Sequence, residues 1–362
     1  VTVPDNLDDG QPTPEHMLGF APFSSISDVP RGIVGGAGDL QRYLPDESEI
    51  ITEFGTAYGE AHAKSILIGE HSVVFGHPAI AVPVTSIRTV ARVDAEEGPI
   101  RFGIDGDIIG IDELPERLAP LGEAARVALR EFDEPEEGVL IRIRSGIPPA
   151  AGLGGSAAAA HAVIEGIRAF VGGELSEETR FELVQTAERV AHGNPSGLDA
   201  MATRSRVPVM FHQGETHEVN VGKPFWLVIG DTGVRGATSD AVARVRGFVN
   251  RDPARGEDLL NQLGELTRGV QRLLTDGDVP NLGACLDAAH LALEELGVGH
   301  PATSELVAAA REAGAVGAKI TGAGCGGCVL AVAENAEIAD KVSQAMTDAN
   351  GVATWTVEVE RN

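Results

Sequence analysis

Ile147-Pro148-Pro149-Ala150-Ala151-Gly152-Leu153-Gly154-Gly155-Ser156-Ala157-Ala158 lies between two periodic segments, and its reading decides the fold. Before it, Val139-Leu140-Ile141-Arg142-Ile143-Arg144 has strand character, and a helical pattern runs from about Ser156 to Phe170. Glycines let the backbone turn tightly and approach a ligand closely. The first amides of the following helix have no intrahelical partner, and the helix dipole favours negative charge there. The segment therefore has the form of a phosphate cradle. A tight strand-to-helix turn with no ligand would use the same glycines, so the reading needs support from elsewhere in the chain.

Three further segments supply it. Lys64-Ser65-Ile66-Leu67-Ile68-Gly69-Glu70-His71 runs an apolar strand into Gly-Glu-His, and strand alternation puts Lys64, Ile66 and Ile68 on one side. A lysine there could also be a snorkelling edge residue. Glu188 stands near the end of an amphipathic helix. The turn signal from His192 to Gly197 follows, with Asp199 just beyond. Two carboxylates so placed can divide the work, one ligating a divalent cation and the other handling a substrate proton. Taken singly, Asp199 also suits a helix N-cap and Glu188 a surface acid. The third segment, Lys319-Ile320-Thr321-Gly322-Ala323-Gly324-Cys325-Gly326-Gly327-Cys328, reads as strand, glycine loop and strand, a backbone flap over a ligand. Its lone Cys-x-x-Cys has no second pair to complete a zinc site and no helix start to support redox chemistry. Asp231–Thr238 is a strand end entering a helix, equally suited to a substrate contact or an ordinary capped turn.

Composition bounds the rest. The 362 residues suffice for two domains. The net charge of −26 repels phosphate backbones, so nucleic acid is not an expected partner. Lysine is scarce, and two of the four, Lys64 and Lys319, fall in the segments above. No apolar run is long enough to cross a membrane. Three cysteines and no visible secretory signal point to a cytoplasmic location. Residues 1–58 are rich in Pro, Gly, Ser and acids and are expected to form an extension, partly disordered or loosely docked. Gly35-Gly36-Ala37-Gly38 within it lacks a preceding strand and a third glycine, and is not read as a nucleotide loop. From there, strands are expected at 65–68, 79–82, 89–93 and 138–144, then at 207–211 and 225–230. Helices dominate 237–313, and a strand–loop–strand–helix–strand run closes the chain. The mixture indicates an α+β fold, with a boundary near Gly222-Lys223-Pro224.

Together, in this order and spacing, the segments resemble the GHMP kinase superfamily, and within it the mevalonate kinases. Gly69-Glu70-His71 followed by Val73-Val74 and Gly76-His77-Pro78-Ala79 is similar to the first motif of that family. His192–Asp199 and Leu296-Gly297-Val298-Gly299-His300-Pro301 are similar to later ones. The resemblance covers about residues 60–358. It implies a two-domain fold, with a ribosomal protein S5 domain 2-like ATP-binding domain at 59–221 and a ferredoxin-like α/β sandwich at 222–362. It also implies ATP-dependent phosphorylation of the primary hydroxyl of (R)-mevalonate, with Mg²⁺ and a homodimer.

Carried over by position, Asp199 matches the catalytic base and Lys64 the lysine beside it. Ser156 and Glu188 match the Mg²⁺ ligands. Pro149, Ala150, Ala151, Gly152, Leu153, Gly154, Gly155, Ser156 and Ala157 form the ATP-phosphate loop. Glu70, His71, Thr238, Gly322 and Ala323 fall on the substrate side. Gly155 stands where many members have serine. Cys325 replaces a glycine, at a cost of about 1 kcal/mol or more if that position needs positive φ. No Gly-x-x-x-x-Gly-Lys-Ser/Thr loop or protein-kinase motif set is present. A sibling kinase for a phosphorylated acceptor or a sugar, and a non-catalytic ligand-binding protein on this fold, are the alternatives. The first would want additional Arg or Lys near His71 and Thr238. The second would not need Lys64, Ser156, Glu188 and Asp199 together.

Overall fold

Strand β1 (Thr56–Ile68) is the first described strand and pairs antiparallel with β2 (Ala79–Pro99). The computed structural model describes residues 55–362 except Asn194 and Ala237, so Gly35–Gly38 and nearly all of the expected extension lie outside the described residues. β1 takes in residues 56–58, which the sequence reading placed in that extension. Its inward positions there are Ala57, Gly59, Ala61 and Ala63. They are small because helix α2 (Gly155–Val171) presses on them. A Cβ on Gly59 would lie 2.2 Å from both the Ala162 carbonyl oxygen and the Gly166 nitrogen.

The runs 79–82 and 89–93, expected as two strands, belong to the single strand β2. It is long because its far edge has two partners. Residues 89–99 pair with β5 (Glu137–Ser145), and Ala79–Ala81 pair with β6 (Val209–His212). Between β2 and β5 come the hairpin β3 (Arg101–Ile104) and β4 (Asp107–Gly110) and helix α1 (Ala119–Glu131). With β7 (Glu215–Glu218) the sheet has seven strands, ordered β4-β3-β5-β2-β6-β7 with β1 on β2. Helix α2 (Gly155–Val171) is buried along Ala157–Ile167, as its alanine-rich, nearly all-apolar sequence requires. Helices α3 (Glu177–His192) and α4 (Leu198–Ala202) follow it.

The chain enters a second sheet at β8 (Phe225–Asp231). Helices α5 (Thr238–Arg251), α6 (Pro253–Asp276), α7 (Val279–Glu295) and α8 (Pro301–Glu312) lead to β9 (Gly317–Thr321). Then come β10 (Cys328–Ala333), α9 (Ala336–Asp348) and β11 (Ala353–Val359). The order β11-β8-β10-β9, all antiparallel, is that of a ferredoxin-like sandwich with extra helices in its first crossover. The two halves share one core: Leu67, Ile68 and Val82 pack in the same cluster as Leu227, Ile229 and Leu330. This common core fixes the glycine loops of the two halves against each other. Among the described residues no helix is long and apolar enough to cross a membrane.

Candidate active site

A cleft of about 650 Å³ opens where the loop after β5, the end of β1, the start of α4 and the loop after β9 meet. It is lined by every site residue read from the sequence except one. Ala157 is fully buried in the core behind α2, so only its backbone amide can serve a ligand.

The phosphate-like loop is built on left-handed backbone, which its glycines adopt freely and Ala150 adopts at a cost. Ala150, Gly152 and Gly154 all have positive φ, at 52°, 79° and 74°. Gly154 is the N-cap of α2 and no side chain caps that helix, so its leading amides are left for a ligand. Gly154 must lack a side chain for a second reason: a Cβ would fall 2.8 Å from Lys64 Cγ and 2.9 Å from Thr203 Cγ2. At Gly155 a Cβ would meet Ile147 at 3.5 Å, an ordinary contact, so nothing steric demands glycine there. Gly152 and Gly322 touch backbone to backbone, a Cβ on either lying 3.4 Å from the other's Cα. The first and third glycine loops thus form one rim.

Lys64 Nζ is 3.0 Å from Asp199 Oδ1 and donates to the Gly152 carbonyl at 3.2 Å. The lysine side chain is 4% exposed and the aspartate 39%, so a buried ammonium is paired with an acid open to the cleft. A register shift in β1 between Ile66 and Ile68 breaks the alternation expected from the sequence: Lys64 and Ile66 line the cleft, whereas Ile68 turns into the core. Asp199 is no N-cap. It lies in the first turn of α4, whose cap is Gly197.

Glu188 is buried, and its Oε1 has no hydrogen-bond partner among the described residues. Burial pushes its carboxyl up, as does the charge of Asp199, against the pull of the Ser156 hydroxyl, His192 and Lys64. A buried carboxylate oxygen lacking a donor, beside a serine hydroxyl and uncapped amides, suits a hard cation that also takes phosphate oxygens and water. No cluster of three or more His, Cys, Asp or Glu suited to a metal occurs among the described residues. A two-ligand site completed by phosphate and water does not need one.

Glu70 and Lys319 form an ion pair that the sequence reading missed. Lys319 is fully buried in β9, and its Nζ donates to Glu70 Oε1 and to the Ile320 carbonyl. The sequence offered only the lysine's place in the third motif as a clue. Burial pulls the lysine down, opposed by Glu70. Next to it, His71 holds φ 61° and its Nε2 lies 2.9 Å from the Ala323 carbonyl. A carbonyl can only accept, so Nε2 carries the proton and Nδ1 is an acceptor. Burial lowers the His71 pKa, which keeps the ring neutral. Thr238 is exposed at the start of α5, on the cleft edge. Cys325 adopts φ 56°, the left-handed backbone that its replacement of a glycine put in question, with its amide bonded to the Val298 carbonyl at 2.7 Å. All three cysteines are free.

Comparison with known proteins places this geometry. The GHMP kinases N terminal domain model matches residues 120–205, and the GHMP kinases C terminal model matches residues 268–352. The mevalonate kinase of Thermococcus sibiricus is 34% identical over 318 residues, 82% of this chain and 94% of that protein. The chain belongs to the mevalonate kinase family. The mevalonate kinase of Pyrococcus furiosus is 33% identical over 326 residues, 83% of this chain and 95% of its own. Among solved structures, L. major mevalonate kinase in complex with R-mevalonate has a TM-score of 0.74 at 22% identity, covering 84% of this chain and 96% of that one, a likeness of fold. A mevalonate kinase from methicillin-resistant Staphylococcus aureus has a TM-score of 0.64 at 29% identity, covering 84% and 99%. The two-domain α+β fold is therefore that of this kinase family.

Proposed function

We propose that this protein phosphorylates the primary hydroxyl of (R)-mevalonate with ATP, giving 5-phosphomevalonate and ADP. The observation that carries the mechanism is the Lys64–Asp199 pair, at 3.0 Å, on the rim of the glycine loop. Phosphoryl transfer asks little covalent work of a protein; it asks for positioning, neutralised charge and an oriented nucleophile. Asp199, open to the cleft, accepts the hydroxyl proton as the new O–P bond forms and the bond to the ADP oxygen breaks. Lys64 orients that carboxylate and offsets the negative charge that develops. The amides at the start of α2 and the facing Gly322 loop hold the phosphates.

Ser156 and Glu188 are the residues that would hold Mg²⁺. When bound, it neutralises phosphate charge and aligns the transferring group. The unpaired Glu188 Oε1 supports this assignment. His71 and Thr238 belong to the substrate side, with Glu70 held by Lys319 behind them. The cytoplasm as location and a homodimer as working form complete the proposal. The free cysteines suit a reducing compartment.

The charge of the cleft favours an unphosphorylated acceptor. Apart from histidines, its only basic lining residues among those described are Lys64, already paired, and Arg117. Arg117 comes from the turn before α1; near Thr238, Arg246 lines the adjoining groove that shares Thr238 and Val242 with the cleft, and Arg235 is held by Asp231. A coupled ADP-release assay on mevalonate, phosphomevalonate, galactose and homoserine tests the reading. Turnover should be confined to mevalonate. Silence on mevalonate with brisk turnover on another alcohol refutes the substrate, and nucleotide binding without any turnover favours a ligand-binding role.

A further inference from the structure

His161 lies in the middle of α2, does not line the cleft, and is almost completely buried. Its Nε2 is 2.6 Å from the carbonyl oxygen of Ala200, the residue that follows Asp199. The carbonyl can only accept, so Nε2 carries the proton. The other ring nitrogen, Nδ1, is buried without a partner among the described residues. Leaving it unpaired costs stability that an apolar side chain of similar size would not lose. What the imidazole provides in return is a single hydrogen bond, and that bond goes to α4.

Helix α4 is only five residues long, and a helix that short does not hold itself. Its amides pass over the Ala200 carbonyl: Thr203 N bonds Asp199, and Arg204 N bonds Met201. Besides the Lys64–Asp199 pair, two hydrogen bonds to backbone carbonyls tie α4 and its C-cap from outside. The Thr203 carbonyl accepts from His62 N on β1, two residues before Lys64, at 3.2 Å. The Ala200 carbonyl accepts from His161 on α2, the helix whose first turn carries Ser156. Around the ring, Arg204, Arg180 and Glu165 are the charged neighbours. Burial lowers the imidazole pKa to about 4, so the ring is neutral at physiological pH and the bond to Ala200 does not depend on pH there.

We propose that His161 is a positioning residue for phosphoryl transfer: its Nε2–H, by holding Ala200, sets the Asp199 carboxylate against Lys64 and in register with the phosphate-facing start of α2. The inference rests on Asp199 acting as the base.

The test uses His161→Leu, His161→Gln, Asp199→Asn and the double variant His161→Leu/Asp199→Asn. Glutamine presents an N–H close to where Nε2 sits; leucine leaves the carbonyl unpaired. A displacement near 1 Å can cost on the order of 10²-fold in rate. His161→Leu should therefore lower kcat about 10- to 100-fold with the KM for ATP nearly unchanged, and His161→Gln should recover most of that loss. In the Asp199→Asn background, His161→Leu should cost about twofold or less, because the group it positions is already gone. If His161→Leu does not fold, His161→Asn replaces it, since its shorter amide does not reach Ala200. Parental kcat in a folded leucine variant overturns the inference. So do equal losses in the leucine and glutamine variants, or losses that multiply in the double variant. Full turnover in Asp199→Asn alone overturns the base assignment, and the positioning role with it.

Discussion

Gly154→Ala separates backbone strain from displacement of Lys64, the lysine proposed to act with Asp199. The residue has φ 74°, and left-handed backbone costs an L side chain about 1–2 kcal/mol. The new methyl would also sit 2.8 Å from Lys64 Cγ and 3.0 Å from Lys64 Cε. That is roughly 0.7–1.2 Å short of the optimal carbon–carbon separation. Thr203 Cγ2, at 2.9 Å, blocks retreat on the other side. Overpacking of this kind adds about 1–3 kcal/mol, for a total loss of roughly 2–5 kcal/mol. Lys64 cannot absorb the methyl without moving its ammonium off Asp199 and the Gly152 carbonyl. A shift of order 1 Å predicts a fall in kcat of about 10²-fold. Gly172→Ala is the internal control: φ is 68°, yet nothing lies within 4 Å of the added methyl. It should lose only the backbone cost, about 1–2 kcal/mol, and keep full kcat. Denaturant midpoints with steady-state rates, measured on both variants, decide the matter. Equal stability losses and an unchanged kcat in Gly154→Ala would refute the idea that this glycine holds Lys64 in place.

Other perturbations test the rest of the site. Glu188→Gln should raise the Mg²⁺ concentration for half-maximal turnover about tenfold or more, read by metal titration of the ADP-release rate. Lys319→Met strands the Glu70 carboxylate in the interior and should destabilise the protein by about 3–5 kcal/mol in chemical denaturation, whereas Glu70→Leu/Lys319→Met should recover most of that. Burial pushes the Glu165 carboxyl up, but Arg204, Arg180 and Arg168 together hold it below its ordinary 4.5. Its contribution is therefore complete above about pH 4.5 and is lost as the pH falls through the lower folded-state value. Stability against pH should accordingly be flatter in acid for Glu165→Gln than for the parent.

The parts of this protein that were legible in its sequence are those where one segment carries the signal by itself. The loop from Ile147 to Ala158 shows its glycines and its flanking strand and helix directly. The closing run from β9 to β11 does the same, because its apolar strands and amphipathic helix are each self-contained. β1 was half hidden, since contact with α2 replaces the usual Val and Ile of a strand by Ala57, Gly59, Ala61 and Ala63. β2 looked like two strands because Pro83, Thr85 and Ser86 interrupt it, and its continuity across them comes from β1, which pairs Lys64 with Pro83 and Ala63 with Val84. The bulge near Ile66 reverses a facing that alternation alone would assign. Long-range polar pairs left the faintest trace. Lys319 and Glu70 are 249 positions apart, and His161 reads as one more member of an apolar helix until Ala200 is seen beneath it.

The most direct test is a structure of the protein with mevalonate, Mg²⁺ and a non-hydrolysable ATP analogue. The metal should be ligated by the Ser156 hydroxyl and the Glu188 carboxylate, with the primary hydroxyl of mevalonate in hydrogen-bond reach of Asp199 and facing the terminal phosphate. A metal bound elsewhere, or a hydroxyl whose nearest base is not Asp199, would contradict the account.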